Sequence, residues 1–284
     1  MTTKPNNKYL AIGINGYGNG AALNGCIPDM RAGIEWAVGC RWHWSQLRSL
    51  SDENRPTAPT RLGIWRRLEW LLNDAKPGDK RILSFSGHGA QIPVRHGGEV
   101  DGLKEVLCPI DFDADDPDTW IIDDDIMELL SNVQEGVDCT VIIDACFSGG
   151  MYDRSTALAT NGSGRLHKRV SRAYPLQTSM DYMIRIETVT ERGIKPTKLI
   201  RAEEAPHVCF MLGCREDQTC AEKYFSSSGF RGAWSKYLFD ALTTYPQLSR
   251  RENANLAVEQ LASNGFNQIP QIIGPDELLL KPLG

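Results

Sequence analysis

Short apolar runs alternate with amphipathic segments along most of the chain, and this alternation constrains the fold more than any other feature of the sequence. Four runs have the length and composition of β-strands, and they lie at residues 9–14, 81–86, 139–145 and 207–214. Several of them are almost continuously apolar, as is typical of a mostly parallel sheet with helices on both faces. The pattern therefore predicts an α/β fold in which a mostly parallel central β-sheet lies between two layers of helices.

The segments between these runs carry apolar residues at helical spacing. We predict helices in five segments, at residues 29–47, 60–79, 123–133, 232–245 and 255–266, and "KPGD" at 76–79 ends the second of them. The chain has 284 residues, enough for one large domain or two small ones, and it contains no internal repeat.

The composition argues against several classes of protein. A net charge of −5 with both signs spread along the chain provides no basic surface for nucleic acid. No run of 18 apolar residues predicts a membrane span, and no polybasic or lipidation motif predicts a membrane surface. The beginning of the chain lacks an apolar signal region, and the eight cysteines are dispersed. We therefore expect a cytoplasmic protein with reduced cysteines and neither nucleic acid nor membrane as a partner.

Two glycine-bearing motifs follow two of the predicted strands. "FSGHG" at 85–89 supplies His88, and "DACFSGG" at 144–150 supplies Cys146. In a parallel α/β sheet, ligands bind beyond the carboxyl ends of the strands, so neighbouring strands would bring this imidazole and this thiol to one cleft. A thiolate beside an imidazole is suited to acyl transfer, and the glycines allow backbone N–H groups to approach an oxyanion.

Both residues also have ordinary interpretations. Single histidines are often surface residues or hydrogen-bonded core residues, and most buried cysteines are inert. The position of His88 and Cys146 in loops after apolar strands favours catalysis, but the residue types alone leave the choice open.

At these motifs the sequence resembles the caspase-like cysteine peptidases, in the metacaspase and orthocaspase branch and of the prokaryotic type. The likeness extends to "LNGCIPD" at 23–29, to "VLCPIDF" and "IIDDDI" after the histidine, and to "GFRGAWSKYLFDAL" and "QIPQIIG" near the end of the chain. The resemblance implies a caspase-like three-layer sandwich over residues 1–284. It also implies a large-subunit-like half at 1–150, a linker at 151–204 and a small-subunit-like half at 205–284.

The resemblance further implies a role for individual residues. His88 would be the catalytic histidine and Cys146 the nucleophile, with the N–H groups of Gly89 and Cys146 forming the oxyanion hole. Phe147 stands where metacaspases usually have histidine, and we do not expect this difference to remove activity.

The acidic specificity pocket of the family selects arginine or lysine in the substrate residue before the cleaved bond, termed P1. The corresponding residues here are Cys26, Asp29, Ser86 and Asp144. Two carboxylates in a desolvated pocket favour a cationic side chain. The ordinary interpretation of Asp144 is a cap or loop residue, and that of Asp29 is a helix N-cap. From the residues alone, the N-cap is the preferred interpretation of Asp29.

Calcium is the one cofactor that the resemblance brings into question. Asp123 and Asp124 match a family "DD" pair, whereas the earlier acidic segment reads "DGLKE" and places Lys104 where an aspartate is common. An ammonium would repel calcium and pair with the carboxylates instead. We expect no cofactor and no metal.

The linker is polar and carries cations that such a pocket would accept. Candidate self-cleavage sites are Arg154, Arg165, Lys168, Arg169 and Arg172. We expect a self-processing monomer that acts on proteins or peptides with arginine or lysine at P1.

Two other functions compete with peptidase activity. A catalytically silent interaction module of the same fold is the main alternative, although such proteins usually lose the nucleophile or the base, and both are present here. A metal or redox protein built on Cys209, Cys214 and Cys220 is disfavoured because these cysteines lack a CxxC pair.

Overall fold

A six-stranded, mostly parallel sheet forms the centre of the molecule. The computed structural model describes residues 5–18, 21–53, 56, 58–96, 99–146, 204–215 and 218–284, together with the backbone of three two-residue strands between 159 and 171. The central strands are β1 (Lys8–Gly13), β2 (Leu47–Ser51), β3 (Lys80–Ser86), β7 (Asp138–Asp144), β11 (Val208–Leu212) and β14 (Gln271–Ile273). Their order is β14-β11-β7-β3-β1-β2, and β14 alone among these six runs antiparallel to its neighbour.

Smaller strands lie outside the central sheet. A hairpin of β4 (Gly89–His96) and β5 (Glu99–Leu107) pairs with β6 (Ile121–Ile122), and β12 (Ala221–Phe225) pairs with β13 (Gly229–Gly232). Three two-residue strands are β8 (Ala159–Thr160), β9 (Leu166–His167) and β10 (Val170–Ser171). β8 pairs with β9, and β10 pairs with β12.

Helices cover both faces of the central sheet. They are α1 (Cys26–Gly39), α2 (Arg61–Leu72), α3 (Asp123–Ser131), α4 (Ala233–Thr244), α5 (Arg250–Ser263) and α6 (Asp276–Leu279). Successive strand residues face opposite sides, so Leu83 packs in a core with α2 and α3, whereas Ile82 packs in a second core with α1, α4 and α5. The predicted three-layer α/β sandwich is confirmed.

One predicted helix is wrong in its second half. The segment 29–47 was expected to be helical throughout, but α1 ends at Gly39. Arg41 has a φ of 64°, a left-handed conformation that turns the chain back towards the sheet. The following residues then supply β2, which pairs with β1 from Leu47 to Ser51.

Strands β3 and β7 are immediate neighbours, and their ends are in register. Ser86, the last residue of β3, lies opposite Asp144, the last residue of β7. His88 follows the first of these positions by two residues and Cys146 follows the second by two. The two strands that precede the motifs are therefore neighbours, which is the arrangement that the expected convergence requires.

Candidate active site

The His88 side chain is buried and held by an upstream loop. Its Nε2 lies 2.6 Å from the carbonyl oxygen of Ala21. Because a carbonyl only accepts hydrogen bonds, Nε2 carries the hydrogen of this contact, and in the neutral ring Nδ1 is the nitrogen that can take up a proton. The Ala21 carbonyl thus fixes both the orientation and the tautomer of the imidazole.

Tyr17 positions the same histidine and was not singled out from the sequence. Its hydroxyl donates to the Cys108 carbonyl at 2.9 Å and accepts the His88 backbone N–H at 3.0 Å. The Tyr17 ring also packs against the imidazole at 4.5 Å between ring centroids. Gly87 leaves the necessary room, because a Cβ there would lie 2.6 Å from the Tyr17 hydroxyl oxygen.

The contacts of Tyr17 lead to a prediction for Tyr17→Phe. The exchange leaves the buried His88 N–H and Cys108 C=O without this partner, which costs about 1–3 kcal/mol of stability per group. We expect a lower melting temperature and a reduced kcat with little change in KM, since the ring remains while the histidine loses its anchor. Tyr245→Phe, the same exchange at an exposed tyrosine, is the control. An unchanged kcat would contradict a positioning role.

The Cys146 sulfur lies in a buried cluster with two other thiols. It accepts a hydrogen bond from the backbone N–H of Cys220 at 2.6 Å, and the sulfurs of Cys146, Cys214 and Cys220 all lie within 4.8 Å of one another. Burial would raise the pKa of Cys146, but hydrogen bonds from the Cys214 and Cys220 thiols and from the Cys220 N–H outweigh burial and hold that pKa well below its usual value. The cluster therefore stabilises a thiolate at Cys146.

Asp29 forms a buried ion pair within the chain. One carboxylate oxygen accepts from Nε of Arg231 at 2.5 Å, and the other accepts from the Gly232 N–H at 3.0 Å. Asp29 lies in the first turn of α1 and Arg231 in β13, so the contact joins the two halves of the chain. An internal guanidinium thus already balances the charge of one predicted pocket carboxylate.

Asp144 is held by the beginning of α4. Its carboxylate accepts the Ser235 backbone N–H at 2.9 Å, and the Ser235 hydroxyl lies 3.4 Å from that of Ser86. An anion at a helix N-terminus is stabilised by the free N–H groups and the helix dipole. The structure thus brings Ser86, Asp29 and Asp144 together around the turn from β13 into α4.

The start of α1 is fixed by two polar side chains from outside the helix. Asn15 accepts the Cys26 N–H at 2.9 Å, and the fully buried Glu222 accepts the N–H groups of Asn24 and Gly25 at 3.0 and 2.6 Å. These contacts position Cys26, a further residue of the predicted pocket. Glu222 lies 197 residues from Gly25 in sequence, and local spacing gave no signal for it.

One of the two carboxylates considered for calcium is already paired with a cation. Nζ of Lys104 forms an ion pair and hydrogen bond with Asp124, and Asp123 is fully buried at the start of α3. Calcium requires several oxygen ligands free of competing cations. Lys104 would therefore compete with a calcium ion for the Asp124 carboxylate.

The remaining predicted residues are placed as follows. Gly89 begins β4 directly after His88, and the His88 carbonyl accepts the N–H of Cys108 at 3.0 Å. Phe147 and the five candidate self-cleavage residues lie outside the described residues, at positions 147, 154, 165, 168, 169 and 172.

Comparisons with known proteins identify the family. The model of the metacaspase peptidase C14 domain matches residues 7–155, which include both motifs. The chain belongs to the metacaspase family. It is 29% identical to Metacaspase-1 of Schizosaccharomyces pombe over 95% of this chain and 68% of that protein, and 30% identical to Metacaspase-1A of Aspergillus oryzae over 93% and 67%.

A solved structure shares the fold. The crystal structure of protein GSU0716 from Geobacter sulfurreducens superposes with a TM-score of 0.67 at 24% identity, and the match covers 98% of this chain and 97% of that one. The family places the metacaspase chain among the caspase-like cysteine peptidases. Within the described part of the metacaspase, none of the helices combines the length and hydropathy of a membrane span.

Proposed function

We propose that this metacaspase is an endopeptidase that cleaves proteins and peptides after arginine or lysine, with Cys146 as nucleophile and His88 as the base. The observation that supports the dyad is the register of β3 and β7, which brings the two motifs to one edge of the sheet. The lowered pKa of the Cys146 thiol supports its role as nucleophile.

The preference for arginine or lysine rests on two buried carboxylates beside these motifs. Asp29 is balanced by Arg231, so we assign the leading role in binding a cationic P1 side chain to Asp144. Ser86 and Cys26 would line the same pocket. A buried carboxylate favours a cation and excludes an anionic P1 residue.

Hydrolysis of short fluorogenic peptides tests the proposal. We expect release of the reporter after arginine or lysine but not after aspartate, and loss of the signal after alkylation of the thiols. A catalytically silent interaction module would hydrolyse none of the peptides before or after alkylation.

We predict that this activity is independent of calcium, because Lys104 already neutralises Asp124. Rates measured with a calcium chelator and with millimolar calcium should agree within the error of the assay. Loss of activity with the chelator that calcium restores would contradict the prediction. Asp123→Asn and Asp124→Asn would then identify the ligands.

We also predict that the enzyme cuts itself in the linker at 151–204. Cleavage would occur after one or more of the candidate arginine and lysine residues of that segment, because the proposed pocket accepts such side chains. Intact-mass measurement of purified wild type should give two fragments with a junction after arginine or lysine, whereas Cys146→Ala should remain one chain. A wild-type chain that stays full length while hydrolysing peptides would refute self-processing and leave the dyad intact.

Location and assembly complete the proposal. All eight cysteines are free thiols, which agrees with a reducing compartment, and we place the enzyme in the cytoplasm as a monomer. Light scattering on the purified protein tests the monomeric state.

A further inference from the structure

Three cysteines converge where β7 ends. Cys146 follows β7, while Cys214 and Cys220 flank a loop after β11. Their three sulfurs lie within 4.8 Å of one another, and the Cys214 and Cys220 sulfurs are 3.0 Å apart. All three side chains are buried, with exposed fractions of 0%, 7% and 0%.

The loop that carries two of these thiols is braced at both ends. The Gln268 side chain accepts the Ala221 N–H at 2.9 Å and donates to the Gly213 carbonyl at 2.8 Å. A Cβ at Gly213 would lie 2.9 Å from the Cys220 sulfur, so glycine allows the close approach of that thiol. The sulfurs are therefore preorganised by long-range contacts instead of by CxxC spacing.

This arrangement matches the set of sulfur ligands that a thiophilic cation requires. A Zn–S bond is about 2.3 Å, which places sulfurs about 3.8 Å apart around a tetrahedral ion. The Cys214 and Cys220 sulfurs lie 3.0 Å apart and no pair of the three is separated by more than 4.8 Å, so small side-chain shifts would suffice. The Cys220 N–H at 2.6 Å from the Cys146 sulfur is the kind of outer hydrogen bond that supports a metal-bound thiolate.

We propose that Cys146, Cys214 and Cys220 bind a thiophilic divalent cation, with Zn²⁺ as the best match, and that the ion keeps the Cys146 sulfur from attacking a substrate. The binding part stands on the cluster alone, whereas the inhibitory part rests on the proposed peptidase function. Three thiolates suit Zn²⁺ and leave a fourth tetrahedral position for water. This inference revises the sequence-based expectation of no metal.

Cobalt(II) provides a direct readout of binding, because cobalt bound to thiolates absorbs strongly in the near ultraviolet and its visible bands report tetrahedral geometry. Metal-free, reduced protein would be titrated with Co²⁺ and then with Zn²⁺ as the competitor. We expect one Co²⁺ per chain with both signatures, displaced by Zn²⁺.

Cysteine variants test which thiols bind. Cys220→Ser and Cys214→Ser should each weaken Zn²⁺ binding by more than about 10-fold, the scale on which even outer partners matter. Cys40→Ser, at a half-buried thiol outside the cluster, should bind as wild type does. Circular dichroism checks the fold of each variant. If either serine variant misfolds, Cys146→Ala removes the third thiol of the cluster and provides the same test.

Activity measurements test inhibition separately. The peptidase rate of each variant is measured at increasing Zn²⁺ concentration and divided by its own rate without Zn²⁺. This relative rate should fall steeply for wild type and for Cys40→Ser. For Cys220→Ser, the same fall should require a higher Zn²⁺ concentration. Full peptidase activity with Zn²⁺ bound would overturn the inhibitory part. A protein that binds Co²⁺ as expected but never hydrolyses peptides would refute the proposed function while supporting the metal site.

Two results would overturn the metal site itself. The first is absence of the thiolate absorption, or absorption that survives in both serine variants. The second is a disulfide among the three cysteines, seen as a mass lower by two hydrogens, in a protein that binds no Co²⁺ after reduction.

Discussion

Replacing Cys146 by alanine is expected to abolish peptide hydrolysis, and His88→Ala is expected to do the same. Without the sulfur there is no nucleophile for the carbonyl, and without the imidazole no positioned base remains to manage the protons. Dyad residues act as a unit, so each single change should lower kcat by about 1000-fold or more. Initial rates on a fluorogenic arginine peptide measure the loss.

Matched controls separate chemistry from folding. Cys40→Ala and His43→Ala remove the same groups at a half-buried thiol and an exposed histidine, and both should keep wild-type rates. Near-normal turnover by either dyad variant, with the fold verified by thermal unfolding, would show that the dyad is assigned wrongly.

The second large effect is expected for Asp144→Asn. The exchange preserves shape and an oxygen that can accept the Ser235 N–H, but it removes the charge proposed to bind a cationic P1 side chain. Losing one partner of a buried charge pair costs about 2–5 kcal/mol, so kcat/KM for arginine peptides should fall by about 30-fold or more. The loss of rate should be largest at substrate concentrations below KM, because the exchange weakens binding of the P1 side chain.

Asp276→Asn is the control for this exchange, since that carboxylate lies exposed on α6 and pairs with Arg251. It should leave kcat/KM unchanged. Efficient cleavage after aspartate by the wild-type enzyme, or an Asp144→Asn variant that still prefers arginine to the same degree, would refute the assigned pocket.

The sequence predicted the buried strands well, and it predicted less well the elements that form only by pairing with a neighbouring strand. The mostly apolar runs at 81–86 and 139–145 predicted β3 and β7 within a residue, because strands covered on both faces are largely apolar. The short mixed segment "LRSLS" of β2 has no such pattern and becomes a strand by pairing with β1.

The start of helix α5 is marked by a local sequence signal, a capping box. Its start was predicted at 255, but Ser249 and Glu252 form a capping box that begins the helix at Arg250. The serine and glutamate three residues apart were visible in the sequence, so this boundary could have been predicted.

At the site, the residues of the two motifs could be predicted from the sequence, whereas the residues that hydrogen-bond to the site could not. His88 and Cys146 stand in glycine-bearing motifs after strands, a local pattern. Tyr17 reaches the His88 N–H across 71 residues of sequence, and Arg231 reaches Asp29 across 202. Such contacts are created by the tertiary fold, and residue spacing in a single chain carries no trace of them.

The long reach of Glu222 and Arg231 has a consequence for synthesis of the protein on the ribosome. A nascent chain whose first 150 residues have emerged contains both motifs, but it lacks the carboxylate that caps α1 and the guanidinium that balances Asp29. The start of α1 can therefore gain both contacts only after Arg231 has been translated. A translation product that stops before Glu222 would therefore carry both motifs but neither of these contacts to the start of α1.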